Sequence, residues 1–273
     1  MGRISGKFVF SHIMSFVPKH EFEACVSRYS GNYRIRSFSC YDQFLCMAFA
    51  QITTRESLRD IEICLKSMSG KLYHVGFRGN ISKSTLADAN ENRSSEIYSD
   101  LAKILMDKAR VIYQGETLYD KALLSDINNS LYALDSSTIE LCLSCLPWAR
   151  YKRDAPAIKL HTLLNLRGNI PSFVIVTDGK VSDQAIMDKI MWEAGSIYLM
   201  DRGYIDFKRL YRINKSGAFF VTRLSKKISF KRVYSHLVDK NTGLICDQTI
   251  RLNSKFGLIS YPSLVRRVRF YDE

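Results

Sequence analysis

The chain has 273 residues, room for one large domain or two modest ones. An apolar content of 46% excludes a disordered chain, and no run approaches the roughly 18 apolar residues that a membrane helix needs. Forty Lys and Arg against 27 Asp and Glu leave a formal charge of +13, more than solubility requires, which favours an anionic partner, nucleic acid first. The seven cysteines are scattered, and Cys142 and Cys145 form a lone CxxC inside an apolar segment. With no second pair at zinc-site spacing they read as reduced core residues. The first residues carry no cleavable signal pattern, so the expected setting is reducing, cytoplasmic and away from membranes.

The first hundred residues predict helices. Short apolar runs over 8–16 and 22–29 are separated by Pro18. Tyr41, Phe44, Leu45, Ala48, Phe49 and Ile52 keep helical spacing, with Ser39 as cap and Asp42 three residues on. Thr53 and Glu56 form a second capping-box pattern, after which Leu58, Ile61, Leu65 and Met68 line one face as far as Gly70. A longer helix is expected over about 94–113. Basic and aromatic residues lie between these segments: Tyr33, Arg34, Arg36 and Phe38, then Lys71, His74 and Arg78. Helices with basic loops suit DNA phosphates. For any single residue a solvated basic surface explains the pattern as well.

The pattern changes near Asn128. Residues 131–134 are apolar and end on Asp135, and Ile139, Leu141 and Leu143 then alternate. Residues 158–166 alternate as a strand does, and 173–176 form a continuous apolar run. A helix is expected over 182–192, a strand over 197–200 ending on Asp201, a helix around 206–213 and a strand over 219–224. Short turns near 153–156 and 167–171 let the first three strands form an antiparallel meander. The later strands need crossovers and so pair in parallel. This is an α/β layout: a helical N-terminal region, then a ribonuclease-H-like mixed sheet whose first and fourth strands are neighbours. Asp135 and Asp201 would lie side by side. From Ser225 onward basic residues and alternating segments at 233–238, 243–252 and 264–270 read as a β-rich appendage, with a hairpin turn at Asn241-Thr242-Gly243.

Two adjacent carboxylates repel unless a cation lies between them, and hard divalent ions accept carboxylate and phosphate oxygens together. Such ions activate a water or hydroxyl and stabilise the leaving oxygen in phosphoryl transfer. Asp135 and Asp201 are therefore the candidate catalytic and metal-binding residues. The plainer alternatives are an Asx or cap role for Asp135 beside Ser136 and Ser137, and a cap role for Asp201 before Tyr204. Asp178 and Asp183 read as turn and cap residues. His161 reads as a sheet histidine or a neighbour of bound phosphate.

The motifs LDSSTIELCLSCLPWARY (134–151), AIKLHTLLNLRGNIP (157–171), VTDGKVSD (176–183), LMDRGYIDFKRL (199–210) and GAFFVTRL (217–224) occur in this order. With FRGNISKSTLADANENR (77–93) leading in, the chain resembles bacterial insertion-sequence DDE transposases of the insertion-sequence-four group over nearly its whole length. The resemblance implies four regions: a small helical DNA-binding domain at 1–70, a helical connection at 71–127, the catalytic core at 128–224 and a β-rich insertion from 225 to 273. It implies that Asp135 and Asp201 are the first two catalytic acids and that Mg2+ or Mn2+ is the cofactor. The partner would be double-stranded DNA, at the inverted-repeat ends and the target, bound by a homodimer in the bacterial nucleoid. Candidate DNA contacts are Arg34, Arg36, Lys83, Arg93, Arg150, Lys152, Lys159, His161, Arg202, Lys226 and Lys227.

The family's third acid is a glutamate in a Tyr-Arg-Glu-Lys arrangement after the insertion, and this sequence has no such arrangement. Glu273, in VRFYDE, reads as part of an insertion strand and is not assigned that role. The expectation is thus a transposase chain ending within its insertion, with weak or no strand transfer alone. The alternatives are an inactive DNA-binding product that inhibits the full-length enzyme, and an unrelated ribonuclease-H-like nuclease.

Overall fold

The computed structural model describes residues 8–113, 127, 129–140, 150–152 and 155–271, and the chain divides into two compact units, Met1–Lys108 and Ala109–Glu273. Cys142, Cys145, Leu141, Leu143 and Glu273 lie outside the described residues, as does the start of the turn expected at 153–156.

The first unit is helical: α1 (Val9–Met14), α2 (Lys19–Arg28), α3 (Cys40–Ile52), α4 (Leu58–Ser67), α5 (Leu72–Val75), α6 (Lys83–Asn92) and most of α7 (Glu96–Ile112). The predicted capping box opens α3: Ser39 Oγ accepts from Asp42 N at 3.1 Å, and Asp42 Oδ2 accepts from Ser39 N at 2.8 Å. The second predicted box does not form. Thr53 closes α3 instead, its hydroxyl donating back to Phe49 O at 2.7 Å, and Thr54 turns the chain at φ 52°. The next helix therefore begins later, under Ser57, whose Oγ accepts from Asp60 N. One core runs from Phe10 to Leu101, so helices on both sides of position 70 share it. At its centre the Phe10 ring packs against Phe49 and Phe77, with centroids 5.7 and 6.2 Å away. Gly31 is required where the chain passes α3 and α7, because a Cβ there would come within 2.5 Å of Ile97 Cδ1 and 2.8 Å of Cys40 Sγ.

The second unit is built on β1 (Leu131–Glu140), β2 (Arg150–Lys152), β3 (Ala155–Asn165), β4 (Ile170–Asp178), β5 (Ile197–Met200) and β6 (Phe219–Thr222). Their order is β2-β3-β1-β5-β6, with β4 also paired to β3. β3 is antiparallel to β1 and β4, while β5 is parallel to β1 and β6. This is the predicted mixed sheet. β1 does not stop at Asp135 as expected. Antiparallel pairing with β3 carries it on to Glu140, whereas its parallel pairing with β5 ends at Leu134↔Met200. The helix expected over 182–192 is only α8 (Asp183–Ile186) and a 3-10 turn, Met187–Lys189, because Ile190 turns extended at φ −90°, ψ 129°. α9 (Phe207–Lys215) leads into β6 and is capped by Asp206, which accepts from Arg209 N.

The faces of this sheet differ. Leu134, Leu163, Tyr198 and Met200 are buried with Ile186 and Met187 of the crossover and Leu210 and Ile213 of α9. The other face carries Ile139, Val174, Val176, Phe219 and Val221, all exposed. A smaller sheet, β7 (Phe230–His236), β8 (Leu244–Leu252) and β9 (Val265–Phe270), joins the same core through Leu252 and Tyr261, next to α10 (Lys255–Ser260). Its first hairpin turns at Gly243, with φ 79°, as the Asn-Thr-Gly signal predicts. Among the described residues no helix is long and apolar enough to cross a membrane.

Candidate active site

Asp135 and Asp201 each follow one member of the last paired couple of β1 and β5, Leu134↔Met200. Adjacent strands run about 4.8 Å apart, so the two aspartates emerge side by side. Strand alternation puts Asp135 on the open face with Ala133, across from Thr162, and leaves Leu134 and Ser136 on the covered face. Both aspartates are exposed. The Asp201 side chain makes no cap bond to the 3-10 turn Arg202–Tyr204 that follows it. Its partner is Arg223, the residue after β6, which donates to Asp201 Oδ1 through Nη2 at 2.6 Å and Nε at 3.1 Å. That guanidinium, with help from the Arg202 backbone N–H, holds the Asp201 carboxyl below the ordinary carboxylate range.

The sequence had not pointed to Arg223. The signal was available: in the parallel pairing of β5 and β6, Met200 faces Thr222, so the next residues, Asp201 and Arg223, must be neighbours. A groove of about 1000 Å³ runs from Arg223 along β6 and β9, lined by Phe219, Lys226, Arg267 and Phe270 among others.

The remaining candidates fall into distinct places. Arg202, Lys226 and Lys227 are exposed in the unit that carries the acids. Arg34, Arg36 and Lys83 are exposed on the helical unit, where Arg34 lies over the Tyr33 ring at 5.1 Å. Arg93 is committed internally: its guanidinium donates to Ser39 O, Phe38 O and Gln43 Oε1 and lies over the Phe38 ring. Arg150 and Lys152 belong to β2, and their side chains lie outside the described residues. Lys159 and His161 face the covered side of the sheet. Lys159 Nζ donates to Asp183 Oδ1 at 3.0 Å, and His161, fully buried, bonds Thr177 Oγ1 through Nε2 at 2.9 Å. Asp183 is not the cap that its position predicted; its Oδ1 accepts from Ser136 Oγ at 2.9 Å.

The donor set suits a hard divalent cation. Two carboxylates sit level on neighbouring strands, and one already attracts a cation, the Arg223 guanidinium, through a single oxygen. Among the described residues no cluster of three His, Cys, Asp or Glu side chains is arranged to hold a metal.

A mixed sheet with an aspartate at the same level on two adjacent parallel strands defines a ribonuclease-H-like core. Comparison with known proteins places it more closely. Residues 128–267 match the transposase DDE domain, and residues 5–78 match a domain of unknown function (DUF4372). The first match spans more than half of the chain, which therefore belongs to the DDE transposase family. A Sinorhizobium fredii protein bearing the transposase name y4zB is 28% identical over 187 residues, 67% of this chain and 49% of that protein. A Geobacillus stearothermophilus protein named as a transposase for insertion sequence element IS5377 is 27% identical over 127 residues, 46% of this chain and 33% of that one. The matched stretches thus span about half or less of these relatives' length. No solved structure gives a significant match.

Proposed function

We propose that Asp135 and Asp201 jointly hold Mg2+ or Mn2+, and that the chain takes part in metal-dependent cleavage and strand transfer at the ends of an insertion sequence. The observation that carries this reading is the parallel register Leu134↔Met200, which brings the next residue of each strand, an aspartate in both cases, to one place. A divalent ion held there supplies Lewis-acid charge to a DNA phosphate. The chain's own residues prepare the site. Arg223 orients Asp201 through Oδ1, and it releases or shares that carboxylate when a cation competes for it. Arg202, Lys226 and Lys227 offer positive charge to DNA phosphates in the unit that carries the acids, and Arg34, Arg36 and Lys83 are separate exposed cations for DNA on the helical unit. The partner is double-stranded DNA, the transposon ends and their target, with two protomers bridging two ends. The charge of +13 supports that partner.

The test is nicking of supercoiled plasmid with Mn2+, wild type beside Asp135→Asn and Asp201→Asn. Because this sequence shows no third acid of the Tyr-Arg-Glu-Lys kind, the reading predicts slow nicking by the wild type, none in EDTA, and none with either variant. Nicking that needs no metal or survives both substitutions would refute it. Binding of duplex DNA without nicking would confine the proposal to a DNA-binding role.

A further inference from the structure

On the covered face, directly behind the acid pair, lies a group of polar side chains that the proposed chemistry leaves unused. Ser136 follows Asp135 and so points the opposite way from it. Its hydroxyl donates to Asp183 Oδ1 at 2.9 Å. Lys159 donates to the same oxygen at 3.0 Å and to Val181 O at 3.1 Å. His161, opposite Ser136 in the register, is fully buried, and its Nδ1, 4.0 Å from Asp183 Oδ1, has no hydrogen-bond partner. The Tyr204 hydroxyl is also buried without a partner. Burial pushes that phenol up to about 12, against the nearby Ser136 hydroxyl, and the carboxylates of Asp183, Asp135 and Asp201 add to the rise.

A Lys–Asp pair taken largely out of water gains little stability over an apolar replacement, because desolvation offsets the attraction. Its value here is geometric. Asp183 opens α8, within the crossover that delivers β5 and hence Asp201. Through Ser136 it holds β1 one residue beyond Asp135, and through Lys159 it holds β3. One carboxylate thus ties the start of the crossover that leads to β5 to both β1 and β3.

We propose that Asp183 is a positioning residue for the Asp135–Asp201 site, acting through the Ser136 hydroxyl from the far side of the sheet. This rests on the reading that the acid pair holds a divalent cation. Partners hydrogen-bonded to metal-holding groups are typically worth about 10- to 100-fold in metal affinity, and Asp183 acts one residue further off, so the low end, about 10-fold, is the expected size.

The experiment titrates the full chain with Mn2+ and follows the free aqua ion by electron paramagnetic resonance. Wild type, Ser136→Ala, Ser136→Thr, Asp183→Ala and Asp135→Ala/Asp201→Ala are compared, with a thermal unfolding curve for each. The proposal predicts affinity reduced about 10-fold in Ser136→Ala and Asp183→Ala, kept in Ser136→Thr, and abolished in the double variant. Wild-type affinity in folded Ser136→Ala and Asp183→Ala, with binding still lost in the double variant, would overturn the positioning role and leave the metal reading intact. Equal loss in Ser136→Ala and Ser136→Thr would also overturn it, because packing rather than the hydroxyl would then matter. Should Asp183→Ala not fold, the two Ser136 variants decide alone. No Mn2+ uptake by the wild type would remove the metal reading, and the positioning role with it.

Discussion

Among the described residues, polar side chains buried in the helical unit are paired, and in the sheet unit several are not. Arg93 donates to Phe38 O, Ser39 O and Gln43 Oε1, while Gln43 donates to Asn90 Oδ1 at 2.7 Å and accepts from the Tyr98 hydroxyl at 2.7 Å. Among the described residues, the buried side-chain atoms without a partner are His161 Nδ1, Ser172 Oγ, Tyr204 Oη and Thr222 Oγ1, all in the sheet unit. His161 lies opposite Ser136, Thr222 precedes Arg223, and Tyr204 is three residues past Asp201. An unpaired buried polar group costs stability. Three of the four groups lie close to the acid pair in sequence or register, and among the described residues the helical unit has none. The difference teaches that the buried polar network is closed in the first unit and open beside the two aspartates in the second.

That contrast can be broken, from the largest expected effect downward. Phe77→Ala removes the ring stacked on Phe10 and should cost the helical unit about 3–5 kcal/mol in urea unfolding, with the sheet unit's transition unmoved. Equal loss in both transitions would mean the units are not energetically separate. Arg93→Met takes the donor from Phe38 O and one of two donors from each of Ser39 O and Gln43 Oε1, which keep Gln43 N and the Tyr98 hydroxyl, and should cost about 1–3 kcal/mol in the same assay. A neutral result would show that the network contributes specificity rather than stability.

Acid should act on the sheet unit through His161. Burial holds its imidazole below the ordinary histidine value, with Asp183 opposing and Lys159 assisting. The folded state therefore resists a proton that the unfolded chain accepts near pH ~6.5. This contribution is complete above that pH and is lost as the pH falls below it. His161→Gln should flatten the pH dependence of thermal unfolding in that window; an unchanged slope would assign the acid sensitivity to other groups. The smallest effect is a matched pair. Tyr98→Phe deletes a hydroxyl bonded to Gln43 and Cys40 O and should cost about 1 kcal/mol, whereas Tyr204→Phe deletes an unpartnered one and should be neutral or slightly stabilising. Equal costs would mean that Tyr204 has a partner in solution.

Much of this was legible from local pattern. Alternation and apolar runs predict the meander and the parallel strands, and the strand order places Asp135 beside Asp201, as the register shows. The Ser39 box and the Gly243 turn follow from residues close in sequence. What escaped depends on distant partners. Thr53 resembles a cap until its hydroxyl turns back to Phe49 O, and α6, which buries only Leu86 and Ala89, has too little apolar face to declare itself. Asp183 reads as a cap because nothing in the sequence places Ser136 within reach, 47 positions away. Arg93 reads as a DNA contact because its carbonyl partners carry no residue signature.

The central claim is that Asp135 and Asp201 form one cation site. Calorimetric titration of the purified chain with Mn2+, beside Asp135→Ala/Asp201→Ala, tests it most directly. Heat of binding in the wild type that vanishes in the double variant is the predicted result. Binding that persists in the double variant, or none in a folded wild type, would contradict it.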